Sequence, residues 1–275
     1  MASWQRSGNI LFEKVDVCEV KDVVIEDEEN MIVALSRFGG PTATYNSKNG
    51  AVRVFAGGGK WITSWVCPNK LCPGGFGWTE DLVLTLVCED DEGTVYTWDD
   101  FVRPQSGPGK LKTTFGQPIR MATFWNTSVI GLTAKMAVLV MKDLRISPHL
   151  KWAPVSFPLV HLPRALCTLR PFAIGLQDIQ LEIAVALPDQ AGMLVASPER
   201  KSVDARVPQF RALPSRFLVP HPTEPIIATL DISDRLLVVN TSWEEILYAR
   251  DCELGMGFQN HPVSLDWCMG GSFFF

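Results

Sequence analysis

Gly57-Gly58-Gly59-Lys60-Trp61 comes nearest to a phosphate-binding loop. A Walker loop needs a Gly five residues before its Gly-Lys pair and a Ser or Thr after it, so that backbone amides and a hydroxyl can meet the phosphates and their metal. Those positions hold Val54 and Trp61, and the stretch reads instead as a glycine-rich turn. Cys67 and Cys72 flank Pro68-Asn69-Lys70-Leu71, but no second Cys/His pair follows at the spacing a zinc site requires, leaving a turn with two free thiols. His149, His161, His221 and His261 all lie in or beside proline-rich segments. Without a Gly-x-Ser-x-Gly elbow or a paired nucleophile, no triad can be assembled from them. Trp98-Asp99 echoes the Trp-Asp end of a WD repeat, yet the companion Gly-His signal is missing. Glu89-Asp90-Asp91-Glu92 reads as a solvated acidic turn. The sequence therefore names no catalytic residue, metal ligand or cofactor-binding residue and implies no cofactor; residues that would contact a partner are not legible. A non-enzymatic role is expected.

Composition narrows the classes further. The 275 residues are 47% hydrophobic, enough for a sizeable core, and carry a formal charge of −5 with a pI near 5.4. No Lys/Arg block stands out, so nucleic acid is not expected as a partner. The N-terminus lacks the apolar core of a signal peptide. Apolar runs such as Met136 to Met141 are far shorter than the ~20 residues of a membrane helix, so a soluble chain without membrane insertion is expected. Seven scattered cysteines, several inside apolar runs, suit a reducing compartment better than a disulfide framework. Two sequons, at Asn126 and Asn240, would matter only in a secreted protein.

The elements that must carry these residues are strands. From Leu82 to Cys88 the one polar member is Thr85, which predicts a strand buried on both faces. Gly93 allows a reversal after the acidic tip, and Thr94 to Trp98, β-branched and aromatic, predicts the return strand of a hairpin. The hairpin recurs. A segment ending in Trp78 precedes Leu82 by four residues, Trp125 precedes Val129, and Trp267 precedes Gly271, with weaker copies near Pro171 and His221. These anchors lie 46 to 50 residues apart. A period of roughly 40–50 residues, each holding four strands, is that of β-propeller blades. The tryptophans at 78, 125 and 267 then read as packing landmarks rather than a ligand-binding face. The predicted fold class is all-β: a β-propeller of four-stranded antiparallel blades, incomplete, with about five blades where seven would close a ring. A two-sheet sandwich with evenly spaced strands is the competing architecture.

Along the chain, residues 1–22 read as a polar lead-in with one strand near Val15 to Val20, and residues 23–275 as the partial propeller. Met31 to Leu35, Val52 to Phe55 and Trp61 to Trp65 predict a first blade, the last two joined by the Gly57 to Lys60 hairpin. Asp99 to Leu111 reads as a surface connection. Val129 to Leu132, Ala137 to Met141, Ile183 to Leu187, Met193 to Ala196, Ile226 to Leu230 and Leu236 to Asn240 predict further strands, with Trp243 to Ala249 an outer one. Pro148 to Pro163, holding four prolines, reads as edge strand or inter-blade loop. Ending at Gly270-Gly271-Ser272-Phe273-Phe274-Phe275, where another inner strand should begin, the chain is expected to be a fragment of something longer.

Four segments carry a resemblance. FGGPTATY (Phe38 to Tyr45), GWTEDLVLTLVCEDDEGTVYTW (Gly77 to Trp98), FLVPHPTEPIIATLDISDRLLVVNTS (Phe217 to Ser242) and VSLDWCMGG (Val263 to Gly271) resemble, in order, parts of the N-terminal domain of the vacuolar protein sorting-associated protein 16 family. None is a chemical signature; order and spacing together are specific. Pro148 to Pro163 has no counterpart, and Phe273 to Phe275 is foreign to the family. The resemblance implies a non-catalytic subunit of the class C core shared by the HOPS and CORVET tethering complexes, acting in vesicle trafficking and SNARE-mediated fusion. It implies a cytoplasmic location, peripheral to late endosome and vacuole or lysosome membranes, with other class C subunits as partners. The family's C-terminal α-solenoid, which holds the SNARE-binding chaperone subunit, has no counterpart in this sequence.

Overall fold

A computed structural model describes residues 30–36, 40–56, 60–99 and 109–150 continuously, and beyond them the strands named below and His221. β1 (Gln5–Ser7) and β2 (Ile10–Phe12) pair as a short antiparallel hairpin. β3 (Met31–Leu35), β4 (Thr42–Asn46), β5 (Ala51–Phe55) and β6 (Trp61–Val66) make the first four-stranded sheet. β7 (Leu71–Trp78), β8 (Leu84–Cys88), β9 (Thr94–Asp99) and β10 (Gly109–Thr114) make the second. The third holds β11 (Ile119–Trp125), β12 (Ser128–Thr133), β13 (Ala137–Lys142) and β14 (His149–Leu150), with β15 (Val155–Ser156) also paired to β13. β16 (Ala165–Leu169), β17 (Leu181–Ala186), β18 (Ala191–Ser197) and β19 (Ser202–Arg206) form the fourth. β20 (Ser215–Pro220), β21 (Ile226–Asp231), β22 (Arg235–Asn240) and β23 (Glu245–Asp251) form the fifth, and β24 (Asp266–Trp267) pairs β25 (Phe273–Phe274).

Each large sheet is a meander, strand beside next strand in antiparallel register. The sheets join through their first strands: β3 lies beside β7, β7 beside β11, β11 beside β16, β16 beside β20, and β20 beside β24. First strands of successive sheets standing side by side are the hub of a propeller; a two-layer sandwich would instead place whole faces of two sheets against each other. The sandwich is therefore set aside.

Hydrophobic faces between blades explain why the sheets stack. Along β8 every residue is buried, and alternation sends them to opposite neighbours. Leu84, Leu86 and Cys88 join Tyr96 and Trp98 against Ala43, Tyr45, Val52 and Val54 of the first blade. Val83, Val87 and Val95 join Ile119, Ala122, Val129, Leu139 and Met141 of the third. The strand read as buried on both faces is a sheet centre between two others. Each fully buried Leu or Val contributes about 1.5–3 kcal/mol of transfer free energy, so these two layers hold the array together.

Several sequence expectations are corrected in detail. Leu82 does not open a strand: it takes φ 61° in a turn, and β8 begins at Leu84. The turn is closed by the Thr79 amide donating to the Val83 carbonyl (3.0 Å) and the Val83 amide donating to Thr79 Oγ1 (3.0 Å). The four-residue offset after each tryptophan is thus not structural, since β12 starts only three residues after Trp125. Gly109 to Leu111 is not connection but the start of β10, paired to β9. Pro148 to Pro163 supplies β14 and β15, short edge strands as its prolines require. Trp243 to Ala249 contributes to the outer strand β23. Gly93 takes φ 60°, as the hairpin needed. The strand expected near Val15 to Val20 lies outside the described residues.

Candidate interaction surface

The ends of the first strands set the geometry of the site. Trp78 closes β7, and its Nε1 donates to the Ala34 carbonyl near the end of β3 (3.1 Å). The Glu80 amide, in the β7–β8 turn, donates to the Asn126 carbonyl in the β11–β12 turn (2.9 Å). A Cβ at Gly74 would strike the Ala122 carbonyl, and one at Gly77 would meet the Phe124 ring (2.6 Å). Ascending β7 thus meets ascending β11, so the first strands run parallel. In consequence all first-to-second and third-to-fourth turns gather on one rim, and the second-to-third turns on the other.

On the first rim, Arg145 ties blades together. Its Nη2 donates to the Asp81 carbonyl, and its Nε lies 4.0 Å from Asp81 Oδ2 and 3.8 Å from Asp99 Oδ2. Beneath it, Thr97 Oγ1 donates to the Leu144 carbonyl (3.0 Å). The exposed pair Arg145–Asp81 fixes turns more than it stabilises the fold. This rim carries most of the exposed large apolar side chains among the described residues. Among the described residues, the exposed large hydrophobics are Ile32, Leu35, Trp61, Val66, Leu82, Ile146 and Ile246. Leu35 ends β3, Leu82 sits in the β7–β8 turn, Trp61 opens β6, Ile146 lies between β13 and β14, and Ile246 is the second residue of β23. All five belong to this rim. Ile146 is 83% exposed and Trp61 60%. Lone exposed apolar residues are ordinary, and these five are spread over the first, second, third and fifth blades.

The opposite rim carries exposed Ile32 and Val66, and its acidic tip is satisfied from within. Asp90 Oδ1 accepts the Thr94 amide (2.8 Å) and Asp90 Oδ2 accepts Asn69 Nδ2 (2.7 Å). Burial raises its pKa, but these hydrogen bonds outweigh that and hold the carboxyl below its usual range. Glu89 lies 3.5 Å from Lys70 Nζ and 3.4 Å from Arg120 Nη1 of the third blade. The acidic tip is therefore more than a solvated turn: Glu89 and Asp90 are structural, while Asp91 and Glu92 are exposed.

The residues singled out for chemistry disperse. Lys60 accepts the Ala56 amide (2.7 Å) and closes the β5–β6 hairpin; Gly57 to Gly59 lie outside the described residues. Cys67 and Cys72 are both buried and packed in different layers, and burial pushes the Cys72 thiol up to about 12. His149 sits on β14 and the His221 amide closes the β20–β21 turn, whereas His161 and His261 lie outside the described residues. Among the described residues no three His, Cys, Asp or Glu side chains could hold a metal ion, and no helix is long and apolar enough to cross a membrane. Trp78 and Trp125 are buried, as landmarks should be; the side chain of Trp267 lies outside the description. Trp98 is also buried, stacked on Trp65 of the first blade at 4.3 Å. Sequence reasoning missed the rim. Its signal, a large apolar residue beside several of the rim turns, is visible only once strand ends are known.

Comparison with known proteins fits this geometry. The chain is similar to the crystal structure of the WD40 domain of SCAP from fission yeast, with a TM-score of 0.53 over 81% of this chain at 9% identity. The fold is a WD40-like β-propeller. This chain spans 56% of that structure, and at such identity the likeness speaks of architecture alone. No protein-family model matches the sequence, and no curated protein matches it either.

Proposed function

We propose that this propeller is a non-catalytic interaction module of a class C vacuolar tethering subunit, acting within HOPS or CORVET. One observation carries the reading. Each of the four segments resembling that family includes part of a first-to-second-strand connection, β3–β4, β7–β8, β20–β21 or β24–β25, and two of them run on through β8–β9 and β21–β22. Of the exposed apolar residues on the first rim, Leu82 lies within one of these segments. A rigid disc whose rim carries Trp61, Leu82 and Ile146 offers other subunits an apolar surface framed by charge, and fusion follows from what the assembly brings together. On this reading the module works in the cytoplasm, at the surface of late endosomes and vacuoles or lysosomes. Other class C subunits are its partners, and the SNARE-binding chaperone subunit joins through a solenoid beyond this chain.

A WD-repeat-like scaffold in an unrelated complex is the second reading, favoured by Trp98-Asp99 closing the third strand of its blade. Affinity purification of the tagged full-length protein separates the two. Recovery of class C subunits, with enlarged or fragmented vacuoles on loss of the gene, supports the first. Recovery of a different stable assembly and none of these subunits overturns it.

A further inference from the structure

Cys67 follows β6 at the end of the first blade, and Cys88 ends β8 in the second. Their Sγ atoms lie 3.9 Å apart, in hydrogen-bonding contact across the joint between the two blades. Cys67 is 4% exposed and Cys88 fully buried, both within the layer of Tyr45, Leu86 and Tyr96. Cys72, the nearest further thiol in sequence, packs on the other side of the second blade. Among the described residues the pairing is therefore specific. A disulfide holds its sulfurs ~2.05 Å apart, so bond formation asks for about 2 Å of combined side-chain travel, within reach of χ rotation and small strand shifts.

We propose that Cys67 and Cys88 form a peroxide-sensitive dithiol that closes into a covalent bond between the first and second blades. One thiol, as its thiolate, attacks hydrogen peroxide; the O–O bond breaks, giving a sulfenic acid, with hydroxide taking up the released proton as water. The second sulfur attacks the sulfenic sulfur, the S–O bond breaks, and hydroxide leaves with the second thiol's proton as another water. Two electrons pass from the sulfurs to peroxide, and a thiol reductant reverses the change. Donation of its S–H to Cys67, together with burial, holds the Cys88 thiol protonated, so Cys67, the less buried, is the sulfur that meets peroxide first. In a reducing compartment the joint stays open; under oxidative load it locks, stapling the blade that bears Trp61 to the one that bears Leu82.

Peptide mapping of the folded full chain under non-reducing conditions, after hydrogen peroxide, tests this directly. The expected result is a Cys67–Cys88 linked peptide, loss of two titratable thiols, reversal by dithiothreitol, and a thermal midpoint raised by roughly 5–10 °C. C88S should abolish the link and C72S should retain it. Because C88S could fail to fold, the wild-type map is decisive alone. Unchanged thiols, over-oxidised Cys67 or Cys88 without a link, or a link through Cys72 overturns the proposal.

Discussion

Replacing Trp78 with Phe tests how neighbouring blades are joined. The indole is buried and its Nε1 donates across the joint to the Ala34 carbonyl at 3.1 Å. Phenylalanine keeps most of the apolar body but removes the donor, leaving that carbonyl one partner short at a cost of about 1–2 kcal/mol. The lost second ring adds about 1 kcal/mol of packing and cavity cost. The sum, about 2–3 kcal/mol, lowers the thermal midpoint by roughly 5–10 °C for a chain of this size. Trp78→Ala removes the whole anchor and should cost roughly 3–5 kcal/mol. Trp61, 60% exposed on the rim, provides the contrast: Trp61→Ala should stay within about 0.5 kcal/mol. Far-UV circular dichroism through a thermal ramp reports all three variants without relying on tryptophan emission. If Trp78→Phe melts with the wild type, or Trp61→Ala loses as much, then the indole does not bridge blades and the hub geometry is wrong.

Three further outcomes follow from single residues. Thr85 Oγ1 is buried without a hydrogen-bond partner, so Thr85→Val should raise stability by about 1 kcal/mol in a urea titration; a loss of that size would mean the hydroxyl is satisfied. Gly74 combines φ 71° with a backbone carbonyl of the third blade where a Cβ would stand, so Gly74→Ala should cost more than about 3 kcal/mol or prevent folding, read by expression and melting. Asp90 has a folded pKa below its unfolded value near 3.8, so its contribution is complete above that value and fades as pH falls through the lower, folded one. Asp90→Asn should therefore be less stable than wild type at neutral pH, with the two converging in strong acid; a constant difference across that range would refute the assignment.

How much of this was legible in the sequence depended on local contrast. The Leu82 to Trp98 hairpin was readable because β8 is apolar on both faces and Gly93 supplies its turn. The repeat was readable because Trp78 and Trp125 end equivalent strands. The first blade escaped the anchor series because Leu35, not an aromatic, ends β3. β10 was hidden because GKLKTT alternates lysines with apolar residues on an outer strand after a proline-rich stretch, where composition looks like loop. The contact between Cys67 and Cys88, and the rim, depend on which strands become neighbours. That is decided by blade packing, and no local pattern encodes it.

The central claim, that this module meets other proteins through one rim, is tested most directly by binding affinity measured on matched variants. Class C subunits co-purified with the full-length protein would be titrated against wild type, Ile146→Asp and Val66→Asp. Ile146 lies on the apolar rim at 83% exposure, and Val66 lies at the far end of β6 at 65%. Placing a charge in a desolvated contact should weaken binding at least tenfold for Ile146→Asp and leave Val66→Asp within twofold of wild type. Equal affinities for all three proteins, or loss confined to Val66→Asp, would contradict it.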